Sequence, residues 1–318
     1  MNKRILIIGA CGQIGTELTL KLREIHGEDT VIASDIREGN KELMKSGPFE
    51  FINAIDYNSI LEIIEKHSIH EVYLMAAMLS ATGEKFPAKA WELNMNSLFN
   101  VLNLAKEGKI KKVFWPSSIA VFGPTTPREN TPQTTVMEPT TVYGISKQAG
   151  ERWCEYYFQK YGVDVRSIRY PGIISWKTDP GGGTTDYAVE IYHHALLNGN
   201  YSSFLNKETK LPMMYMDDAI QATLQLMDAP KEKITIRTSY NIAGLSFSPA
   251  EIYHSILKHY PNFEIEYHPD FRQAIADSWP NSIDDSLAKS DWNWTPSFDL
   301  DRMTSTIIAN LPEYFKFK

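Results

Sequence analysis

Short apolar runs alternate with amphipathic stretches through the first half of the chain. The apolar runs, rich in β-branched residues, are residues 4–8, 30–34, 71–75, 111–115 and 163–169. They predict buried parallel strands. The stretches with apolar residues at helical spacing are residues 13–25, 57–67, 87–107 and 143–161. This βαβα order predicts an α/β fold built on a doubly wound parallel sheet.

The alternation becomes irregular after Gly172. We therefore predict two domains. Residues 1–172 with 208–241 are expected to form the sheet domain, which would bind a nucleotide. Residues 173–207 with 242–318 are expected to form a smaller substrate-binding region.

A glycine-rich turn follows the first predicted strand. The sequence GACGQIG places Gly9, Gly12 and Gly15 between that strand and a helix, with Gln13 and Ile14 before the last glycine. Gly9 permits a tight turn, Gly12 lets the backbone approach a pyrophosphate, and Gly15 lets helix and strand pack closely. The turn predicts a dinucleotide site on a Rossmann sheet.

An acidic residue ends the second predicted strand. Asp35 lies 20 residues after Gly15, where a carboxylate can accept hydrogen bonds from an adenosine ribose. The same carboxylate would repel a 2′-phosphate, so NAD is favoured over NADP. Arg37, two residues further on, is the one feature that favours NADP instead. The alternative interpretation of Asp35 is a turn residue at a strand end.

Tyr143 and Lys147 are four residues apart in YGISK and share one face of a helix. An ammonium beside a phenol favours the phenolate, so Tyr143 is a candidate general base. The fifth predicted strand ends in WPSS, which places Ser117 or Ser118 at the carboxyl edge of the sheet. A hydroxyl at that edge can face the same crevice as the tyrosine.

Together these motifs resemble the extended short-chain dehydrogenase/reductase family over essentially the whole chain. The resemblance implies that Ser118, in PSSIAVFG, joins Tyr143 and Lys147 as the third catalytic residue, with Ser117 as its neighbour. The further cofactor contacts that it implies are Asn53, Ala54, Asp56, Leu74, Ala76, Ala77, Asn94, Tyr170, Pro171 and Ile173. Whether Asn53 or Asp56 meets the adenine stays open.

Three longer stretches, beginning at PSSIAVFG, EPTTVYG and RYPGIIS, resemble the short-chain type of L-threonine 3-dehydrogenases. This resemblance implies that NAD oxidises the C3 hydroxyl of L-threonine to 2-amino-3-oxobutanoate. The substrate contacts that it implies are Ser80, Ser118, Tyr143, Gly182, Thr185 and Trp279. The glycine-rich stretch DPGGGTTDY is expected to close over this substrate.

Composition narrows the choice of partners. The chain has 318 residues, 43% of them hydrophobic, which is enough for a sizeable core. A formal net charge of −7 without long basic tracts argues against nucleic acid and anionic membranes, so a small-molecule substrate is expected. Two cysteines form no disulfide framework, and no metal-site spacing is visible. A cytoplasmic location is expected.

Two other functions fit parts of the pattern. A nucleotide-sugar epimerase would need cations for a diphosphate, yet the only arginines after residue 190 are Arg237, Arg272 and Arg302. A non-catalytic NAD-sensing protein would be expected to lack the Tyr–Lys pair. The family resemblance also implies a homodimer formed through the helices predicted at 87–107 and 143–161.

Overall fold

The computed structural model describes residues 3–180 and 183–316. The chain forms two compact units. The first unit comprises Met1–Val121, Thr140–Arg169 and Ala222–Tyr240. The second comprises Phe122–Pro139, Tyr170–Gln221 and Asn241–Lys318.

The first unit is built on a parallel sheet of six strands. Its strands are β1 (Ile5–Ile8), β2 (Val31–Asp35), β3 (Phe49–Phe51), β4 (Glu71–Leu74), β5 (Lys112–Phe114) and, after the short β6 (Ser117–Ser118), β7 (Asp164–Arg166). Their order is β3-β2-β1-β4-β5-β7. Ile5 of β1 pairs with Val31 on one side and Glu71 on the other, so the order reverses at β1 and β4. This is the doubly wound arrangement that the sequence predicts, and ligands bind such sheets at the reversal.

Six helices accompany this sheet. They are α1 (Gln13–His26), α2 (Lys41–Lys45), α3 (Tyr57–His67), α4 (Ser80–Lys85), α5 (Pro87–Lys106) and α6 (Val142–Tyr161). Local sequence explains the ends of α6: the Thr141 hydroxyl accepts a hydrogen bond from Gly144 N at 3.0 Å, and Gly162 takes a left-handed conformation after the last turn. The four predicted helices are therefore confirmed, whereas α2 and α4 are too short to show a helical period.

The second unit contains two small sheets. The strands are β9 (Gly172–Ile174), β10 (Asn200–Ser203), β11 (Leu211–Tyr215), β13 (Leu245–Phe247) and β14 (Glu264–Tyr267). One sheet has the order β13-β11-β9, and the other pairs β10 with β14. The helices are α7 (Tyr187–Leu197), α9 (Pro249–Leu257), α10 (Arg272–Asp277), α11 (Ser286–Trp292) and α12 (Leu300–Lys316). Three elements cross the division between units: β8 (Ile168–Tyr170), α8 (Met216–Asp228) and β12 (Tyr240–Asn241).

Two longer segments, together with residues 170–172 and 241, fall in a different unit from the one in which the sequence placed them. Residues 208–221 join the second unit because β11 pairs with β9 and β13. Residues 122–139 join it because Thr131 bridges Ile283 and Arg128 donates to the Asp277 carbonyl at 2.5 Å. Such long-range pairings leave no local pattern in the sequence.

The segment VDVRSIR was expected to be one strand but forms β7 and β8, which lie in different sheets. The change occurs at Ser167. Its carbonyl accepts a hydrogen bond from Tyr240 N at 2.9 Å, and its hydroxyl pairs with that of Ser239 at 2.8 Å. Hydrogen bonds to residues that are distant in sequence thus place β8 outside the six-stranded sheet.

A buried ion cluster lies at the start of β7. The Asp164 carboxylate accepts hydrogen bonds from Arg166 Nη2 at 2.9 Å and Arg237 Nη1 at 2.8 Å. Burial acts to raise the pKa of Asp164, but these two guanidinium groups outweigh it and hold the pKa below its ordinary value. The ionised carboxylate therefore stabilises the fold.

We expect Asp164→Asn to lower the free energy of unfolding at pH 7 by about 3–5 kcal/mol, because it leaves buried guanidinium groups without their anion. The folded-state pKa is lower than the unfolded one, so the contribution is complete above pH ~4 and disappears as pH falls through the folded pKa. Urea unfolding at pH 7 and pH 3 measures both effects. Asp228→Asn, which breaks an exposed pair with Lys3, should cost under about 1 kcal/mol. Equal losses in the two variants would contradict this account.

Candidate active site

The glycine turn is packed too tightly for other residues at two of its three glycines. Gly9 has a φ of +92°, and a Cβ there would lie 2.4 Å from Ala76 N. A Cβ on Gly15 would lie 2.2 Å from the Gly9 carbonyl oxygen. The turn therefore needs glycine at both positions to join β1 to α1 beside the loop that follows β4.

Gly12 differs from the other two glycines. It immediately precedes α1, and a Cβ there would meet its nearest neighbour, the Gly9 carbonyl oxygen, at an ordinary 3.5 Å. Gln13 and Ile14 are the first residues of α1, and within the described residues no side chain caps this helix. The open space at Gly12 and the uncapped N–H groups fit the diphosphate of a dinucleotide.

Asp35 ends β2 beside this turn. Its Oδ2 accepts a hydrogen bond from Cys11 N at 3.1 Å, and its Oδ1 accepts one from Ile36 N at 2.8 Å. A carboxylate has about four acceptor positions, so it retains capacity for ribose hydroxyls. Arg37 is exposed two residues further on.

The loop between β3 and α3 holds the two candidates for the adenine contact. Asn53 is exposed, and its Oδ1 accepts a hydrogen bond from Ile55 N at 3.3 Å, while Ala54 is buried. Asp56 caps α3 by accepting from Asn58 N at 3.0 Å and Ser59 N at 3.3 Å. Asp56 thus has a structural role at a helix N-terminus.

The loop after β4 is tied to two helices by Asn94 of α5. The Asn94 side chain accepts from Met78 N at 2.8 Å and donates to Met78 O at 3.2 Å and to Ser146 Oγ at 3.0 Å. Asn94 was predicted only as a cofactor contact. The structure adds a tethering role, because this buried amide fixes the loop to α6. The other predicted residues here are the buried Leu74 and the partly exposed Ala76 and Ala77.

Tyr143 and Ser118 meet at the start of α6. Ser118 acts to lower the pKa of the Tyr143 phenol. Tyr143 keeps part of its surface exposed, yet burial dominates and raises its pKa to about 12. The Ser118 hydroxyl also accepts a hydrogen bond from Ala120 N at 3.2 Å, which orients it.

Lys147 lies one helical turn beyond Tyr143 and is buried. Its Nζ donates to the Pro116 carbonyl at 2.6 Å and lies 4.6 Å from the centroid of the Trp115 ring and 5.5 Å from that of Tyr143. Burial lowers the pKa of Lys147 to about 7.

Lys147 and a cationic nicotinamide together are expected to lower the pKa of Tyr143, whereas in the protein alone burial outweighs the lowering contribution. In the structure the pKa of the phenol is raised, and the side chain that acts to lower it is Ser118. The physical reason is that the lysine is desolvated and its Nζ is directed at the Pro116 carbonyl. Pro116 and Trp115 were not predicted as its partners; their sequence signal is the WPSS segment itself.

Ser80 begins the short helix α4, which packs on the start of α6. The Val142 amide donates to Glu84 Oε1 at 2.8 Å, and a Cβ on Gly83 would lie 3.3 Å from Val142 Cγ1. This packing places a partly exposed serine on a helix that adjoins the residue before Tyr143.

The second unit carries the remaining predicted residues. They are the buried Tyr170, Pro171 and Trp279 and the partly exposed Ile173 and Thr185, whereas Gly182 lies outside the described residues. Thr185 packs against Gly172 of β9, where a Cβ would lie 2.7 Å from Thr185 Cγ2 and 2.5 Å from Met213 Sδ. Sequence reasoning missed Gly172; its signal is the glycine that follows Pro171 in RYPGII.

Within residues 3–180 and 183–316, no group of three or more His, Cys, Asp or Glu side chains could hold a metal ion. In the part of the chain that the structure describes, no helix combines the length and apolar character needed to cross a bilayer.

A known protein family matches most of the chain. The profile described as the NAD dependent epimerase/dehydratase family matches residues 5–243. The chain belongs to this family. The glycine turn, Asp35 and the Tyr143–Lys147 helix all lie within the matched residues, and the family and the holo relative imply a nicotinamide dinucleotide cofactor.

Several similar proteins match this chain over nearly its whole length. An uncharacterized epimerase/dehydratase of Staphylococcus haemolyticus is 49% identical over 98% of both chains. A partial consensus L-threonine 3-dehydrogenase is 58% identical, with a TM-score of 0.94 and coverage of 98% of this chain and 99% of that one. A GalE-like L-threonine dehydrogenase from Cupriavidus necator, in a holo form, is 56% identical, with a TM-score of 0.94 and coverage of 97% and 99%.

Proposed function

We propose that this protein is an NAD-dependent L-threonine 3-dehydrogenase, which oxidises the C3 hydroxyl of L-threonine to 2-amino-3-oxobutanoate. The observation that carries the proposal is the position of Tyr143 one helical turn before the buried Lys147, with Ser118 acting to lower the pKa of its phenol. The choice of threonine is supported by full-length similarity to two solved threonine dehydrogenases.

In this proposal Tyr143 accepts the proton of the C3 hydroxyl, and Ser118 orients the alcohol. Bound NAD supplies the hydride acceptor and a positive charge on its nicotinamide ring. Bringing a phenol from a pKa of about 12 to neutrality requires stabilising the phenolate by about 7 kcal/mol. Ser118, the protonated Lys147 and that ring charge would share this task. Lys147 would also hold the nicotinamide ribose.

We propose NAD rather than NADP because of Asp35. Its carboxylate lies beside the glycine turn with acceptor capacity to spare, and a 2′-phosphate there would be repelled. Asn53 is the residue that we propose for the adenine, since Asp56 is engaged in capping α3.

We propose that the glycine turn and Asp35 bind the dinucleotide and that other side chains contact the amino acid. Threonine is a zwitterion, and its charges need polar partners once water is excluded, because an unpaired buried charge costs several kcal/mol. Ser80 and Thr185 would supply hydroxyl contacts, and Trp279 an apolar wall for the methyl group.

A substrate panel tests the reaction directly. Purified protein is mixed with NAD or NADP and with L-threonine, L-serine, simple alcohols or a UDP-sugar, and the absorbance of the reduced cofactor is followed. UDP-sugar epimerisation is assayed separately by product analysis. We expect reduction of NAD with L-threonine and much slower reduction of NADP. Turnover of the UDP-sugar without any threonine oxidation would instead identify a nucleotide-sugar epimerase.

We also propose that the protein is a homodimer that pairs through α5 and α6. These helices carry exposed aromatic residues, namely Trp91, Trp153, Tyr156 and Tyr161. Exposed large apolar groups clustered in this way are typical of an association surface. We expect sedimentation equilibrium to give twice the mass of one chain and Trp153→Glu to give a folded monomer. A monomeric wild-type protein at high concentration would refute this surface.

A further inference from the structure

A second charged residue lies one helical turn beyond Lys147 on α6. Glu151 is 0% exposed. Its Oε1 accepts hydrogen bonds from Ser117 Oγ at 2.7 Å and Arg169 Nε at 2.9 Å, and its Oε2 accepts one from Arg169 Nη2 at 2.8 Å. A carboxylate held by two N–H groups along one edge of a guanidinium group and by a hydroxyl has its position well defined.

The Glu151 carboxylate belongs to a group of buried charges that includes Lys147 and Arg169. Lys147 and Arg169 are each 3% exposed, so two cations and one anion lie away from water. The titratable groups that face Lys147 are Tyr143, Glu151 and Cys154 on α6, with Arg169 of β8 beyond the carboxylate.

Of these groups, Glu151 is the carboxylate that pairs with a guanidinium group. Burial raises the pKa of Tyr143 to about 12 and that of Cys154 above its ordinary range, so both stay neutral. Burial lowers the pKa of Lys147, and Cys154 and Glu151 act against that effect. Because the Cys154 thiol is neutral, we assign the opposing charge to the Glu151 carboxylate. A buried ammonium keeps its proton only if such an opposing charge is near.

We propose that Glu151, anchored by Arg169 and Ser117, is a positioning residue that extends to higher pH the range in which Lys147 keeps its proton. The proposal rests on the role proposed above for Lys147 as the cation beside the phenol and the ribose. Glu151 acts through Lys147 and need not touch substrate or cofactor. The Tyr–Lys pair accordingly extends along α6 as a row of Tyr143, Lys147 and Glu151, at positions i, i+4 and i+8.

The direct test is a pH titration of Lys147 itself. Protein carrying ¹³Cε-labelled lysine is followed by NMR, and the signal of Lys147 is assigned from its disappearance in Lys147→Met. We expect Glu151→Gln to lower the pKa of Lys147 by about one unit, because the ammonium loses its buried counter-charge. Circular dichroism confirms that each variant is folded.

A matched control lies one turn further along the helix. Glu155 forms an exposed pair with Arg152, and Glu155→Gln should leave the pKa of Lys147 unchanged. If Glu151→Gln fails to fold because Arg169 is left unpaired, the double variant Glu151→Gln/Arg169→Gln leaves neither charge unpaired. In that variant the pKa of Lys147 is also expected to fall.

The sign of the shift separates this proposal from a merely structural role. Loosening of the helix would admit water and raise the pKa of Lys147 toward its ordinary value, opposite to the expected fall. An unchanged or raised pKa in a folded Glu151→Gln or double variant would overturn the proposal.

A second measurement connects the residue to turnover. In Glu151→Gln the alkaline limb of the pH profile of kcat/KM for threonine should move to lower pH, because the ammonium is lost sooner as pH rises. The pH dependence of NADH binding, measured by fluorescence, should shift in the same direction. If threonine is not a substrate, the NMR titration still tests the role of Glu151. Failure of the proposed dehydrogenase function can therefore be distinguished from failure of the proposed role of Glu151.

Discussion

Tyr143→Phe is expected to lower kcat for threonine oxidation by about 10²–10⁴-fold while NADH still binds. The substitution removes the one atom that we assign to proton transfer and leaves the ring beside Lys147 in place. Stopped-assay kinetics with threonine and fluorescence titration with NADH measure the two effects. Tyr156→Phe is the matched control, because it removes the same hydroxyl from an exposed position on the same helix and should leave kcat unchanged.

The phenol of Tyr143 also interacts with Ser118, so a structural explanation of its loss has to be separated from a chemical one. Even a full hydrogen bond between the two would contribute only about 1 kcal/mol to stability, which is too little to unfold the unit. A Tyr143→Phe protein that cannot bind NADH would show that the residue is structural and would remove it from the proposed chemistry.

Gly12→Ala is expected to weaken NADH binding by at least about tenfold, or about 1.4 kcal/mol, without a change in the melting temperature. The added methyl group meets its nearest protein atom at 3.5 Å and therefore causes no strain in the protein. It would occupy the space that we assign to the diphosphate at the start of α1. Calorimetric titration with NADH and thermal unfolding give the two quantities.

Gly9→Ala is the contrasting variant in the same turn. Its Cβ would lie 2.4 Å from Ala76 N, and alanine at a φ of +92° is strained. We expect a loss of stability of about 1–3 kcal/mol in addition to weaker binding. Equal affinities for NADH in Gly12→Ala and the wild-type protein would contradict the assignment of the diphosphate to this turn.

Much of the first unit could be predicted because its information is local. A buried parallel strand needs a short apolar run, and an amphipathic helix needs apolar residues three or four apart. The elements β1, β2, α1 and α6 can therefore be recognised in the sequence. The glycine turn can be recognised for a related reason. A backbone that must approach other backbone within about van der Waals contact tolerates only glycine, as Gly9 and Gly15 illustrate.

Other features depend on partners that are distant in the chain. The division of VDVRSIR into β7 and β8 follows from a hydrogen bond to Tyr240, and the assignment of β11 to the second unit follows from its pairing with β9 and β13. Asp56 could equally have been a ligand contact or a cap until the amides of Asn58 and Ser59 were placed beside it.

The class of fold, the glycine turn and the spacing of Tyr143 and Lys147 can be recognised from the chain alone, because each depends on residues within a few positions of one another. The electrostatics of that pair depend instead on packing between distant segments. Folding buries Lys147 against Pro116 and Trp115 and brings Arg169 and Ser117 next to Glu151. Desolvation and long-range charge pairing control these protonation states, and both arise only when separate segments of the chain are packed together.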